Sequence, residues 1–452
     1  QPLRHDPERL NTFFASTAER TLGTNADPHA SVYQLIENLP NLDQPLFRLR
    51  LVSQGEVLQA LKSLRNDSST GPDQIPVKFV KMTAEIIAGP LTEIINSCIR
   101  NSYFPKSWKK ARISPIPKID HPTKDEHFRP ISVLPALSKI FERLVAKQMT
   151  AFCEQESTLK DTLSGFRKGH STSTVLMGIR DDLLRSMKKG EVTLMIMADF
   201  SKAFDTVRYR TLISKLHSLG FSKSFLFWLT SYLSDRLHFV QIDDRVSDTC
   251  ELHFGVPQGS ILGPMLFNLY VSDLQDYLPS NVTTFQYADD TTIYASCRPS
   301  DLPRHIEDLN LTLDALSSWS ADSHLALNSV KTKAMLLSTR QMSWVHSLDQ
   351  HQLPLRISDE SLERVHLAKL LGVHLHEHLQ WDEHVKQLLK ACYGVLSILR
   401  KIKNFTDFKL RKHLVETLLL SKIDYCDTVF YPLPDFLLKR LQRLQFAAGS
   451  FV

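Results

Sequence analysis

The stretch FQYADDTTIY, Phe285 to Tyr294, constrains the fold of this chain more than any other. Two adjacent aspartates, Asp289 and Asp290, interrupt a run that otherwise reads as β-strand. Val282, Thr283, Thr284, Phe285 and Tyr287 precede them, and Thr291, Thr292, Ile293 and Tyr294 follow. Apolar and β-branched residues in that pattern predict two short strands joined by a very tight turn. Such a turn favours Asn-Gly or Asp-Gly, which accept positive φ cheaply. Ala288-Asp289 is a poor choice for the turn alone. Two readings stand: a polar hairpin tip, or a place built to hold charge.

Upstream, EVTLMIMADFSKAFDTV begins with a continuous apolar run, Val192 to Ala198, short enough for a buried strand, with Asp199 at its end. If this strand and the hairpin are neighbours in one sheet, three carboxylates converge at its edge. Two like charges about 4 Å apart repel by roughly 4 kcal/mol at an effective dielectric near 20. Without a counter-ion at least one group takes up a proton. A site for divalent cations removes that cost, since hard Mg²⁺ prefers carboxylate oxygens, water and substrate phosphates.

A chain of 452 residues is too long for one small core and implies two or three domains. Hydrophobic content of 42% with 23% charged residues is that of a soluble globular protein. No uncharged run approaches bilayer length, and no secretory leader is visible. A start at Gln1 and a last amphipathic helix running to Val452 without a stop signal suggest an excerpt from a longer polypeptide. The six cysteines show no CxxC or Cys/His ligand spacing and read as free thiols in a reducing compartment. HLHEHLQWDEH, His374 to His384, lacks a helical H-E-x-x-H and reads as a strand end and a solvated loop.

Net charge is only +5, but its distribution is uneven. Lys106 to Lys118 carries five basic residues and no acid; Lys386 to Lys412 carries eight against the single Asp407. Either run is a solvated face or a phosphate contact. Helical patterns cover PERLNTFFAST, EVLQALKSL, PLTEIINSCIRN, the segment through SKIFERLVAKQMTAF, and FLFWLTSYLSDR. FVQI reads as strand, and LHFGVPQGSILGPMLFNLYVSDL as a Gly/Pro loop entering a helix. Near the C-terminus Leu388, Leu389, Cys392, Val395, Leu396 and Leu399 fall on one helical face, as do Leu437, Leu438, Leu441 and Leu444. Lys439, Arg440 and Arg443 lie opposite the second set, giving a small helical domain with a basic exterior.

YADD, ADFSKAFDTV and GVPQGSILGPMLFNLYVSDL together resemble reverse transcriptases, with the nearest likeness to those of non-LTR (LINE-type) retrotransposons. TGPDQIP, FPKSWKKARISPIPK, FRPISVLPALSKIFERL, SGFRKGHST, LNSVKTKAML and KLLGVHL follow in the family's order, from about residue 51 onward. LSKIFERL and LNLYVSDL look LINE-like rather than intron-encoded or retron-type, and no maturase segment follows. The resemblance implies an α+β right-hand polymerase with fingers, an antiparallel-sheet palm and a helical thumb. Residues 1–50 would be an N-terminal extension, 51–188 fingers, 189–378 palm and 379–452 a truncated thumb.

Residue by residue, the resemblance makes Asp199 and Asp289 the main metal ligands, with Asp290 completing the cluster and Phe200 lending a backbone carbonyl. Two Mg²⁺ ions are implied, with Mn²⁺ a substitute. Asp205 falls away from the metals in the family and reads as structural. Phe204, with Ala203 beside it, matches the aromatic gate under the incoming sugar, where a ring would collide with a 2′-hydroxyl. Pro257, Gln258 and Gly259 would form the loop beside nucleotide and template; this triplet argues against an RNA-templated RNA polymerase. Lys118 and Arg129 match the residues that hold the triphosphate, with Lys124 a rival for the first role. Lys331 matches the lysine proposed to protonate pyrophosphate, and Arg167 a contact to template or a brace of the fingers. Gln74 replaces the usual Gly of GPDG, and Leu163 the usual Gln before Gly165.

The implied reaction is RNA-templated DNA synthesis from dNTPs on a DNA primer or nicked target DNA, by an intracellular ribonucleoprotein of nucleus or cytoplasm. No membrane role and no protein partner are implied, and no endonuclease is recognisable. The two departures keep a second reading open: a decayed or domesticated copy that binds RNA without catalysis.

Overall fold

The computed structural model describes residues 6–23, 29–42 and 46–452. The chain divides into two compact units, each mixing helix and sheet. The first is Gln1–Leu163 with Phe200–Tyr277 and Leu316–Leu327; the second is Ser164–Asp199 with Leu278–Ala315 and Asn328–Val452.

The second unit is built on strand Val192–Ala198, buried almost throughout as its apolar run requires. It is the middle strand of five, in the order Glu363–Arg364, Lys333–Leu337, Val192–Ala198, Asp290–Cys297, Thr283–Tyr287. Every neighbouring pair is antiparallel except the Lys333–Leu337 and Glu363–Arg364 edge. Helix Thr172–Lys188 contributes Val175, Leu176, Ile179 and Leu183 to a core shared with Met195, Tyr294, Met335 and Leu337.

The C-terminal helices, Asp382–Lys401 and Asp435–Gly449 among them, join that same core through Leu389, Cys392, Leu396, Leu437, Leu441 and Leu444. Leu438 departs from expectation and is 42% exposed. At 100° per residue it stands about 90° round the helix from the stripe formed by Leu437, Leu441, Leu444 and Ala448. The segment from His374 also differs from a solvated loop. Strand Val373–His376 ends there, a helix starts at Asp382, and Glu377 and His384 between and beyond them are buried. Glu377 tolerates burial because Arg364 lies 3.6 Å away and His366 Nδ1 2.8 Å away.

In the first unit, strands Lys110–Pro117 and Phe128–Val133 pair antiparallel, and Arg236–Ile242 adds parallel to the first of them. Cys250–Leu252 pairs with the start of Arg236–Ile242. Helices Ala84–Arg100, Ala136–Gln155, Tyr209–Ser218, Lys223–Leu233 and Gly263–Val271 accompany the sheet. The rings of Phe104, Phe141, Trp228 and Tyr232 interlock in edge and stacked pairs at the heart of this unit. Helix Gln54–Lys62 opens with a reciprocal Ser53/Glu56 cap.

The basic stretch from Lys106 is not one solvated face. Lys109 is only 2% exposed, and burial lowers its ammonium to about 8. Gln74, standing where the family pattern has glycine, adopts φ +58°. That left-handed backbone is the conformation a glycine would supply without strain.

Candidate active site

In the second unit, register brings the acidic residues together. The last pair between the two central strands is Ala198 with Thr291, so Asp199 and Asp290 are the next opposed positions. Tyr287 pairs with Asp290 across the hairpin, leaving Ala288-Asp289 as a two-residue turn. Ala288 takes φ +58°, the positive value a primed turn needs at its first central residue, at about 1–2 kcal/mol for a residue with a Cβ.

Mutual repulsion shows at Asp290. Burial first, then Asp289, then Asp199 push its carboxyl up to about 6. Asp199 Oδ2 is buried and receives no hydrogen bond, while the Lys331 ammonium stands 3.7 Å from it. An all-carboxylate set with an unsatisfied buried oxygen fits a hard divalent cation, which supplies positive charge beyond the single Lys331 ammonium.

Two loops hold these residues. Thr332 Oγ1 accepts from the Asp199 backbone N–H at 3.3 Å and donates to the Asn328 carbonyl at 2.7 Å. Asn328 N–H donates to the Asp199 carbonyl at 2.8 Å, and Asn328 Oδ1 accepts from Lys331 N–H at 3.0 Å. The LNSVKTK motif thus clamps Asp199 from both sides of its peptide and presents Lys331. On the hairpin side, Ser164 N–H donates to the Gln286 carbonyl at 2.8 Å, bringing Gly165 against the turn. A Cβ on Gly165 would lie 2.4 Å from the Ala288 nitrogen. Arg167 follows two residues later on the same loop, half-buried.

In the first unit, Lys118 follows strand Lys110–Pro117, where Ile116 pairs with Arg129. Burial first, then Lys202 and Arg129, lower Lys118 to about 8, with Asp205 opposing them. Lys202, which sequence reasoning passed over, therefore joins Lys118 and Arg129 in one cationic group. Its signal was position alone, three residues after Asp199. Lys124 is turned to Glu126, 3.6 Å away.

The Pro257-Gln258-Gly259 loop is stitched to strand Phe128–Val133 by Ser132 N–H, which donates to the Gln258 carbonyl at 2.7 Å. Gly259 has φ +110°, and a Cβ there would lie 2.6 Å from the Ser132 carbonyl oxygen, so both conformation and space demand glycine. Gln258 Nε2 donates to Asp205 Oδ1 at 2.6 Å, which gives Asp205 an orienting role. Phe204 stacks on Phe267 with ring centroids 4.2 Å apart. Ala203, Phe200 and Pro257 are buried, Phe200 edge-on to Trp319.

A further residue missed in the sequence is Glu142, fully buried within FERL. Its carboxylate accepts from Ile261 N–H at 2.7 Å, Leu262 N–H at 3.3 Å and Ser138 Oγ at 3.0 Å, holding the backbone between the Pro257–Gly259 loop and the helix Gly263–Val271. A glutamate on a helix face carries no local sign of that partnership.

Residues 116–375 match the family model described as reverse transcriptase (RNA-dependent DNA polymerase). The chain belongs to that family. It is 31% identical over 386 residues to a probable RNA-directed DNA polymerase from transposon BS of Drosophila melanogaster, covering 83% of this chain and 42% of the relative. From the same organism, the RNA-directed DNA polymerase from mobile element jockey is 27% identical over 392 residues, and the probable RNA-directed DNA polymerase from transposon X-element 28% over 395. Each of these two alignments spans 85% of this chain and 42% of the relative. The match of this reverse transcriptase chain to elements of the non-LTR kind agrees with the resemblance read from its motifs. Among the described residues, no helix is long and apolar enough to cross a membrane.

Proposed function

We propose that this chain carries the RNA-directed DNA polymerase activity of a non-LTR retrotransposon, extending a DNA primer or nicked target DNA with dNTPs on an RNA template. The observation that carries the reading is the convergence of Asp199, Asp289 and Asp290, strong enough to push Asp290 up to about 6, in a chain of the reverse transcriptase family. Asp199, Asp289 and Asp290, with the Phe200 carbonyl, would hold two Mg²⁺ ions, or Mn²⁺ in their place. When bound, such ions supply activation of the primer 3′-hydroxyl and neutralisation of the leaving pyrophosphate.

The chain's own residues do the rest. Lys118 and Arg129, with Lys202 beside them, bind the triphosphate; a guanidinium and ammoniums suit charge that shifts during transfer. Phe204, backed by Phe267 and next to Ala203, excludes a ribose 2′-hydroxyl. Gln258, oriented by Asp205, offers donor and acceptor to sugar and template, between Pro257 and Gly259. Lys331 Nζ holds the proton that the departing pyrophosphate takes. Arg167 contacts template. In this reading residues 51–188 act as fingers, 189–378 as palm and 379–452 as thumb, whose exposed lysines and arginines grip duplex phosphates without regard to sequence. The protein would work as a ribonucleoprotein in nucleus or cytoplasm.

Extension of a DNA primer on poly-rA with labelled dTTP tests this. Synthesis should require Mg²⁺ and vanish in Asp289→Ala/Asp290→Ala. A wild-type protein that is inert yet retains RNA on a filter would refute the polymerase reading in favour of RNA binding alone.

A further inference from the structure

In the first unit, far along the sequence from any acidic motif, His29, Glu251 and His253 bring three ligand atoms within 4.8 Å of one another. His29 Nε2 and His253 Nδ1 each lie 3.9 Å from the same carboxylate oxygen, Glu251 Oε1. Both distances exceed a hydrogen bond. In a tetrahedral zinc site with bonds of about 2.1 Å, neighbouring ligand atoms stand roughly 3.4 Å apart, so the two distances to Glu251 close by about half an ångström.

The surroundings favour a cation. Neither nitrogen of His29 has a hydrogen-bond partner, although both are buried. A neutral imidazole left this way is costly, and an ion at Nε2 relieves it. Tyr209 stacks on the His29 ring, with centroids 6.1 Å apart and planes at 20°, and so fixes the ring's direction. Glu251 and His253 stand two apart at the end of strand Cys250–Leu252, and their side chains are 43% and 42% exposed, which leaves an entry path and room for a water as fourth ligand.

We infer that His29, Glu251 and His253 form a zinc-binding site that clips helix His29–Asn38 to strand Cys250–Leu252. Two imidazoles and one carboxylate suit borderline Zn²⁺ rather than Mg²⁺, which seeks oxygen alone. Near the helix start Arg210 also donates to the Ser31 carbonyl at 3.0 Å. Val32 and Ile36 on the helix's inner face are buried and Tyr33 stacks on Phe227, so a metal would add a coordinate link at the helix start to a helix already packed.

The test is zinc content. The whole chain, stripped with chelator and kept in excess Mg²⁺ to fill oxygen-only sites, is titrated with Zn²⁺ and followed by calorimetry and elemental analysis. One tight Zn²⁺ per chain is expected, with a rise in melting temperature. Affinity should fall at least about tenfold in His253→Ala and again in Glu251→Gln, two surface changes that spare the fold. His29→Asn serves as the buried partner test. Wild-type protein that takes up no Zn²⁺, or zinc held equally well by His253→Ala and Glu251→Gln, would overturn the assignment.

Discussion

Gly165→Ala should separate the turn that carries Asp289 from the rest of the fold. The added Cβ would stand 2.4 Å from the Ala288 nitrogen, 3.1 Å from its Cα and 3.2 Å from the Tyr287 carbonyl carbon. All three are backbone atoms, so no side chain can swing aside. Ordinary contact begins near 3.4 Å, and the turn or the loop must therefore retreat by about 1 Å. The turn has no slack to absorb this. Its two residues close directly between the paired Tyr287 and Asp290, and Ala288 already occupies a positive φ. The loop is held in turn by the 2.8 Å bond from Ser164 to Gln286.

Overpacking of this kind costs about 1–3 kcal/mol in stability. A 1 Å misplacement at a reacting centre costs on the order of a hundredfold in rate. The expected result is a folded protein melting a few degrees lower, with kcat for primer extension down about a hundredfold and KM for dNTP nearly unchanged. Gly169→Ala is the control: it lies in the same loop at φ +82° but meets nothing within 4 Å. That variant should lose about 1 kcal/mol through backbone strain and keep its rate. Extension by Gly165→Ala within about twofold of wild type would show that the contact does not position the aspartates.

Three further outcomes are expected. Because Asp290 is raised from 3.8 to about 6, its contribution to the stability of the metal-free protein is full while the group is protonated in both states, and is lost as pH rises through about 6. Solvent at the exposed carboxylate reduces the effect to on the order of 1 kcal/mol, so the melting-temperature gain from saturating Mg²⁺ should be larger near about pH 7.5 than near about pH 5, and Asp290→Asn should flatten the difference. Phe204→Val should raise ribonucleotide incorporation markedly in a dTTP/UTP competition; unchanged sugar selection would remove Phe204 from the gate. Gly394→Ala, inside helix Asp382–Lys401 with open space around it, should stabilise the protein by up to about 1 kcal/mol in thermal or urea melts.

Local pattern was enough for the elements that matter most: an apolar run of seven became the buried middle strand, and alternating β-formers round Ala288-Asp289 became the hairpin. What pattern could not supply was register. That Asp290 rather than Asp289 continues opposite Asp199 depends on which residue pairs with Ala198, and therefore on the whole length of two strands. The same limit hid Lys202 beside Lys118, Glu142 beneath Ile261, and the cluster of His29 with Glu251 and His253, since each joins segments that carry no mutual spacing signal. Leu438 failed for a different reason, a stripe narrower than its leucines suggested.

The strained Ala288 turn, where local preference was violated, is the point at which the chain's logic becomes visible. An Asn-Gly turn would relax the hairpin. It would leave the demand for Gly165 beneath it unchanged, because a Cβ there meets the backbone of Tyr287 and Ala288 whatever side chains the turn carries. Ala288 holds its Cβ at φ +58° with its backbone packed against Gly165 and Asp289 next in the chain. Replacing Ala288 by Gly should therefore make the protein no less stable and the polymerase slower, a combination that simple turn preference does not produce.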